Sequence, residues 1–137
     1  MIFTLRSQAH GGAFLGSEKE RLQIIKNIAQ LQPEYIDIES TVSPNFAQEL
    51  KQAHPNSQIL VSFHDFEKMP SLSAVYDQMK KVPGDLYKIA VMIHSSSEAL
   101  ATLQFMKNTK DVIAMGMGKF WELTRILGPV YGARFVY

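Results

Sequence analysis

The chain alternates between short apolar runs and longer stretches in which apolar residues recur every three or four positions. The short runs are rich in β-branched and aromatic side chains, which favours strands. They span Ile2–Arg6, Tyr35–Glu39, Gln58–His64, Leu86–Ile93, Val112–Met117 and Arg134–Tyr137. The longer stretches predict helices over Glu18–Leu31, Asn45–His54, Ser71–Lys81, Ser96–Asn108 and Trp121–Leu127. This alternation predicts an α/β domain with about six parallel strands, each joined to the next by a helix.

The predicted strands have one apolar face and one face with isolated ionisable groups. Successive side chains of a strand point to opposite sides, so Asp37 and Glu39 share a face, and Lys88 shares a face with Ala90 and Met92. An open sheet with helices on both faces would instead be apolar almost throughout. The pattern therefore favours a barrel, whose outer strand face packs on helices while its inner face surrounds a site. A flavodoxin-like open sheet is the alternative.

Several chemically active side chains fall at the C-terminal ends of predicted strands. These residues are Arg6, Glu39, His64 and Met117. Barrels of the (β/α)8 or TIM type keep their chemistry at this end of the strands. The pattern predicts a site there.

Composition narrows the class of protein without identifying a reaction. The 137 residues suit one domain, and 46% hydrophobic with 20% charged residues is ordinary for a globular protein. A net charge of +1 without a Lys/Arg cluster argues against nucleic-acid binding. The absence of cysteine excludes disulfides and thiolate chemistry, and His54 and His94 lack metal-ligand spacing. No apolar run could span a membrane and the N-terminus does not resemble a secretory signal, so we expect a cytoplasmic protein.

Lys88 lies inside an otherwise apolar strand pattern. Burial would lower the pKa of its ammonium group and favour the free amine, which can attack a carbonyl group to form an imine. The alternative is that Lys88 lies near the start of its strand and extends its charged end into solvent.

His64, Arg125 and His10 are further candidates. An imidazole with a pKa of ~6.5 suits proton transfer at neutral pH, although a histidine at a strand end can equally be a structural residue. His64 and Lys88 occupy matching depths on consecutive strand patterns, which favours a shared site. Arg125 is either a carboxylate clamp or a solvated arginine. His10 precedes two glycines, which suit a loop near a ligand or a plain turn.

Six short segments occur in the order and spacing of a known enzyme family. They are Ile2–Arg6 with Gly11-Gly12, Tyr35–Glu39, Ser62–Phe66 running on to Pro70, Tyr87–Ala90, Met115–Gly118 and Thr124–Gly128. Together they resemble type I 3-dehydroquinate dehydratases along essentially the whole chain. The tail at Leu127–Gly132 is most similar to the versions fused to shikimate dehydrogenase.

The resemblance implies a (β/α)8 barrel that removes water from 3-dehydroquinate, without a cofactor, to give 3-dehydroshikimate in the shikimate pathway. It implies that Lys88 forms an imine with the substrate ketone. His64 would take the proton next to that imine and later protonate the leaving hydroxyl group. Arg125 would bind the substrate carboxylate. The other substrate-binding residues that it implies are Arg6, Glu39, Met115 and Met117.

The sequence departs from the family pattern in three places. Two strands that precede Ile2 in the family are missing, and the chain stops at Tyr137, before a loop that closes over the substrate. His10 replaces a glutamate that orients the catalytic histidine, so we treat His10 as a candidate orienting residue. Six strands cannot close an eight-stranded barrel. This predicts a homo-oligomer, or association with a chain that supplies the missing strands.

Two functions therefore follow from the sequence. The first is a 3-dehydroquinate dehydratase, or the larger part of one, with no metal, nucleic-acid or membrane partner. The second is a catalytically silent barrel remnant that acts as an assembly or binding module. If the family match were accidental, an imine-forming aldolase on a similar barrel would be the third.

Overall fold

The computed structural model describes residues 1–136, and its centre is a single parallel sheet. Within those residues the sheet has five strands: β1 (Ile2–Thr4), β2 (Tyr35–Glu39), β3 (Gln58–Asp65), β4 (Leu86–Met92) and β5 (Val112–Met117). Each strand pairs with the next one along the chain, so the spatial order is β1-β2-β3-β4-β5. A flavodoxin-like sheet has the order 2-1-3-4-5. The uninterrupted order is that of a barrel segment, as the strand faces predicted.

Helices follow the strands, and the first four of them begin at serine caps. They are α1 (Glu18–Ala29), α2 (Pro44–Ala53), α3 (Leu72–Met79), α4 (Ser96–Asn108) and α5 (Trp121–Leu127), with 3₁₀ turns at Gln8–His10 and Gly128–Tyr131. In α1 to α4 the hydroxyl group of the preceding serine accepts a hydrogen bond from a backbone N–H of the first turn. Among residues 1–136, no helix combines the length and the apolar character that a membrane crossing needs.

The two faces of the sheet bury different sets of side chains. On the outer face, the isoleucines and valines of β2, β3 and β4 pack against the helices in the larger core. On the inner face, a smaller apolar cluster extends from the first residues of the strands to positions beyond the buried polar groups. Its buried members are Tyr35, Leu60, Leu86, Ala90, Ile113 and Met115. Ser62 and Lys88 lie between two parts of this cluster, with Leu60 and Leu86 towards the N-terminal ends and Ala90 and Met115 towards the C-terminal ends.

The strand predicted over Arg134–Tyr137 does not form over Arg134–Val136, and Tyr137 lies outside the described residues. Gly132, at φ +102, ends the preceding turn in the left-handed region. Arg134 then donates hydrogen bonds to Gln58 and Asp111, and Phe135 packs edge-on against Tyr35 with ring centroids 5.1 Å apart. The segment thus contacts residues at the N-terminal ends of β2 and β3 instead of pairing with β5 as a sixth strand.

Candidate active site

Lys88 lies in the middle of β4 with its side chain on the inner face, and it is buried. Only 7% of the side chain is exposed, so the alternative interpretation, in which it extends into solvent, does not hold. Its Nζ donates a hydrogen bond to Asp37 Oδ2 over 3.0 Å. Burial lowers the pKa of Lys88, and the negative charge of Asp37 opposes that effect. The amine is therefore easier to deprotonate than an ordinary surface lysine.

Asp37 links three strands and the chain after β1 through its carboxylate. Arg6 Nη2 donates to Oδ2 over 2.8 Å, and Ser62 Oγ donates to Oδ1 over 2.6 Å. The strand registers place Ser62 beside Lys88 and Asp37 beside Leu60, so the Asp37 carboxylate reaches Lys88 diagonally across β3. With Lys88 and Arg6 in contact with one carboxylate, the three groups carry a net charge of +1. That charge favours an anionic ligand.

His64 lies near the end of β3, above this cluster, and Arg6 orients its ring. Arg6 Nη1 lies 3.2 Å from His64 Nδ1. The ring of Phe66 stacks on the imidazole, with the two ring centroids 5.9 Å apart. A guanidinium group has donors only, so Nδ1 accepts and the proton of the neutral ring resides on Nε2. Burial, followed by the charges of Arg6 and Lys88, lowers the pKa of His64 to about 3. The ring is therefore neutral at physiological pH and presents Nε2–H as a donor.

Glu39 and His10 contact each other instead of reaching the imidazole. The Glu39 carboxylate accepts hydrogen bonds from the backbone N–H and the hydroxyl group of Ser7, and it pairs with buried Arg21 over 3.2 Å. His10 Nε2 lies 3.7 Å from Glu39 and 3.4 Å from Thr41 Oγ1. The predicted orienting contact from His10 to His64 is thus made by Arg6. Glu39, predicted to bind substrate, holds the segment after β1 that carries Arg6.

Residues of β5 and α5 complete this end of the sheet. Met115 is buried in the inner-face cluster, whereas Met117 lines an open cavity of about 410 Å³ with Gly118, Trp121 and Arg125. Arg125 donates from Nη1 to the carbonyl oxygen of Gly116 over 3.0 Å, and burial lowers the pKa of its guanidinium group. Arg125 is therefore a held, half-buried cation rather than a freely solvated one.

Asp37, Ser62 and Trp121 were not predicted as catalytic or substrate-binding residues. A signal existed for Asp37, which shares a strand face with Glu39 and could be expected to pair with a buried arginine such as Arg6. No periodicity identifies Ser62 as the donor to Asp37, because that contact depends on strand register. Across residues 1–136, no group of three or more His, Asp or Glu side chains is placed to hold a metal ion.

Comparison with known proteins identifies the family. The sequence model described as type I 3-dehydroquinase matches residues 1–137. A 3-dehydroquinate dehydratase of Methanococcus maripaludis is 35% identical over 137 residues, which cover 96% of this chain and 63% of that protein. This chain thus spans less than two thirds of that relative's length.

Solved structures match with high coverage of this chain. The type I 3-dehydroquinate dehydratase of Clostridium difficile, crystallised with covalently modified comenic acid, has a TM-score of 0.85 and 26% identity, covering 98% of this chain and 58% of that one. The dehydroquinate dehydratase and shikimate dehydrogenase protein of S. pombe has a TM-score of 0.77 over 92% of this chain and 26% of its own, and at 21% identity it shares the fold. With the family model matched from end to end, the chain belongs to the type I 3-dehydroquinase family.

Proposed function

We propose that this chain is the larger part of a 3-dehydroquinate dehydratase that works through an imine on Lys88. The observation that carries the proposal is a buried lysine on the inner face of a barrel-type sheet, 3.0 Å from a carboxylate and beside a neutral histidine. Membership of the type I 3-dehydroquinase family supplies the substrate. The reaction is a dehydration in the shikimate pathway, and no cofactor takes part in it.

Imine formation begins at Lys88. Its ammonium group transfers a proton to Asp37, the free amine adds to the substrate ketone, and water leaves to give an iminium ion. The iminium ion then accepts the electron pair that remains when the neighbouring carbon loses a proton. This electron sink is what a lysine provides and a simple base cannot.

His64 transfers the proton between carbon and oxygen. Its Nδ1 accepts a hydrogen bond from Arg6, so that lone pair becomes available only when Arg6 turns towards the substrate. His64 then takes the proton from carbon, and the enamine expels the hydroxyl group at the next carbon. The imidazolium returns the proton to that hydroxyl group, which departs as water, and hydrolysis of the imine releases Lys88 and the enone product.

The cations at this end of the sheet bind the substrate carboxylate. Arg125 offers a planar guanidinium group suited to a bidentate contact, and Arg6 adds a second positive charge near Lys88. Met115 and Met117 supply apolar surface beside these charges. The polar groups thus orient the ring while the methionines contact its carbon atoms.

Borohydride trapping tests the covalent step. Folded protein is incubated with 3-dehydroquinate and borohydride, and the modified peptide is located by mass spectrometry. We expect one adduct, on Lys88, and none in a Lys88→Met control that keeps the same circular dichroism. A folded sample that yields no adduct on Lys88 removes the imine mechanism.

A second candidate function is a barrel segment that is inactive until another chain joins it. The favouring observation is the exposed apolar surface of α5 and the turn after it, at Leu123, Ile126, Leu127 and Val130, beside edge strand β5. We propose that a second copy, or a chain that supplies further strands, covers this surface. Rising ultraviolet absorbance from the enone product, measured with the chain alone, would exclude an inactive segment.

A further inference from the structure

Trp121 is a large aromatic residue in contact with the proposed carboxylate-binding arginine. It is the first residue of α5, and Arg125 follows one helical turn later on the same face. The guanidinium carbon of Arg125 lies 4.7 Å from the centroid of the Trp121 ring. That distance is within the range of a cation–π interaction, for which tryptophan is the best partner.

The contact rests on a rigid connection between α5 and β5. Thr124 Oγ donates to the carbonyl oxygen of Trp121 over 2.8 Å and accepts from the backbone N–H of Gly116 over 2.9 Å. Arg125 donates to the carbonyl oxygen of the same glycine. The start of the helix is therefore fastened to the end of the strand, which fixes the backbone positions from which the two side chains extend.

The ring also lines an open cavity next to the Arg125 guanidinium group. Met117, Gly118, Trp121 and Arg125 line its volume of about 410 Å³, and the guanidinium group is the charged group of that lining. Trp121 remains 43% exposed although its ring is mostly apolar. An apolar wall beside a cation fits an anionic group carried on a hydrocarbon ring better than it fits a small inorganic anion.

We propose that Trp121 is a positioning and specificity residue that holds the Arg125 guanidinium group and forms one wall of a subsite for cyclic carboxylates. The proposal rests on the proposed function for the identity of the substrate. It assigns to Trp121 the selection of a ring-borne carboxylate, with Arg125 as the group that contacts the charge.

The test uses Trp121 as its own reporter, because it is the only tryptophan of the chain. In a Lys88→Met background, which blocks imine formation, emission is followed while 3-dehydroquinate is added. We expect a saturable change that acetate reproduces only at far higher concentration. The corresponding cyclic alcohol without a carboxylate should give no change, and Arg125→Ala should abolish the response.

Kinetics of the Lys88-containing protein separate positioning from a merely structural role. Trp121→Ala should raise KM about tenfold with kcat within about twofold, and Trp121→Phe should recover most of the loss, since a smaller aromatic face still contacts the guanidinium group. An unchanged KM in Trp121→Ala, or a full emission response in Arg125→Ala, overturns the proposal.

The experiments distinguish failure of the Trp121 proposal from failure of the proposed dehydratase function. Turnover with no carboxylate-dependent emission change leaves the dehydratase assignment standing and removes the role of Trp121. A saturable, Arg125-dependent emission change without borohydride-trapped adduct or turnover supports the subsite and removes the dehydratase mechanism.

Discussion

Asp37 sets the charge state of the lysine on which the proposed chemistry depends. Its carboxylate contacts Lys88, Arg6 and Ser62 from a position that is almost fully buried. Burial lowers the pKa of Lys88, while the negative charge of Asp37 raises it. The two effects act in opposite directions, so removal of the carboxylate charge should leave burial and the charge of Arg6 unopposed.

Asp37→Asn should therefore lower the pKa of Lys88 further. The pKa of Lys88 can be measured without substrate by labelling the lysines with a trace amount of an amine-reactive reagent across a pH series. Mass spectrometry quantifies the label on each lysine. The midpoint of the Lys88 curve should move to lower pH. Asp77→Asn, which removes the exposed partner of Lys80, is the matched control and should leave Lys88 unchanged. A Lys88 midpoint that is equal in the Asp37→Asn variant and the parent contradicts the argument.

His64 should make the fold sensitive to mild acid. Its folded-state pKa is about 3, against ~6.5 for an unfolded histidine, so between these values the unfolded chain binds the extra proton. Stability is thus lost as pH falls through this window. The His64 ring is partly exposed, and solvent weakens the effect. We therefore expect the parent to lose about 1–2 kcal/mol of unfolding free energy through this group between pH 7 and pH 5.

His64→Gln removes the titrating group and should flatten that part of the curve. Urea unfolding at pH 7 and pH 5 measures the difference. His94→Gln, at an exposed histidine of the same chain, should retain the parental pH dependence. Parallel losses in His64→Gln and the parent would assign the acid sensitivity to other groups.

At the scale of elements, α1 supports the site through one buried arginine. Arg21 contacts Glu18 on its own helix, the carbonyl oxygen of Leu5 and the carboxylate of Glu39. The helix begins at a capping box formed by Ser17 and Glu20, which fixes where Arg21 faces the sheet. The helix thus holds the chain next to Arg6 without contacting the site itself.

Arg21→Met should destabilise the fold strongly, because Glu39 would remain buried without its cation. We expect a loss of about 3–5 kcal/mol in chemical denaturation. Lys26→Met, on the same helix but in an exposed pair with Glu49, should change stability by less than about 1 kcal/mol. If the two substitutions lower the unfolding free energy by similar amounts, the contacts of Arg21 do not stabilise the packing of α1.

At the scale of the whole molecule, the sheet has β1 and β5 as its edges. Edge strands expose backbone donors and acceptors that recruit other strands. Exposed apolar side chains of α5 and the following turn lie beside the β5 edge. Association through this side would cover both features at once.

The chain should therefore form a dimer or a larger species, and Ile126→Glu should shift it towards monomer. Ile126 is 73% exposed on α5, so the substitution costs little in the fold but places a charge in the proposed contact. Leu15→Glu, at a residue 78% exposed near the start of α1, is the matched control. Multi-angle light scattering measures the mass. If the parent protein has the mass of a monomer and unfolds cooperatively, the predicted assembly is wrong.

Local patterns in the sequence determined where the strands and helices lie and which face of the sheet each strand residue occupies. Period-two alternation identified the strands from Tyr35 to Met117 and placed Lys88 and His64 on the face opposite the isoleucines. Apolar residues at helical spacing predicted the helices between Glu18 and Leu127. These features follow from residues near one another in the chain, so periodicity suffices to predict them.

Only the tertiary structure decided which groups meet. Asp37 contacts Lys88, 51 residues away, by a diagonal approach across β3 that depends on two strand registers, and Arg6 rather than His10 reaches His64. The segment Arg134–Val136 packs against Tyr35 and Gln58 instead of extending the sheet. Each outcome depends on competition among partners distant in sequence. Residue type sets which contacts are chemically allowed, and packing selects one of them.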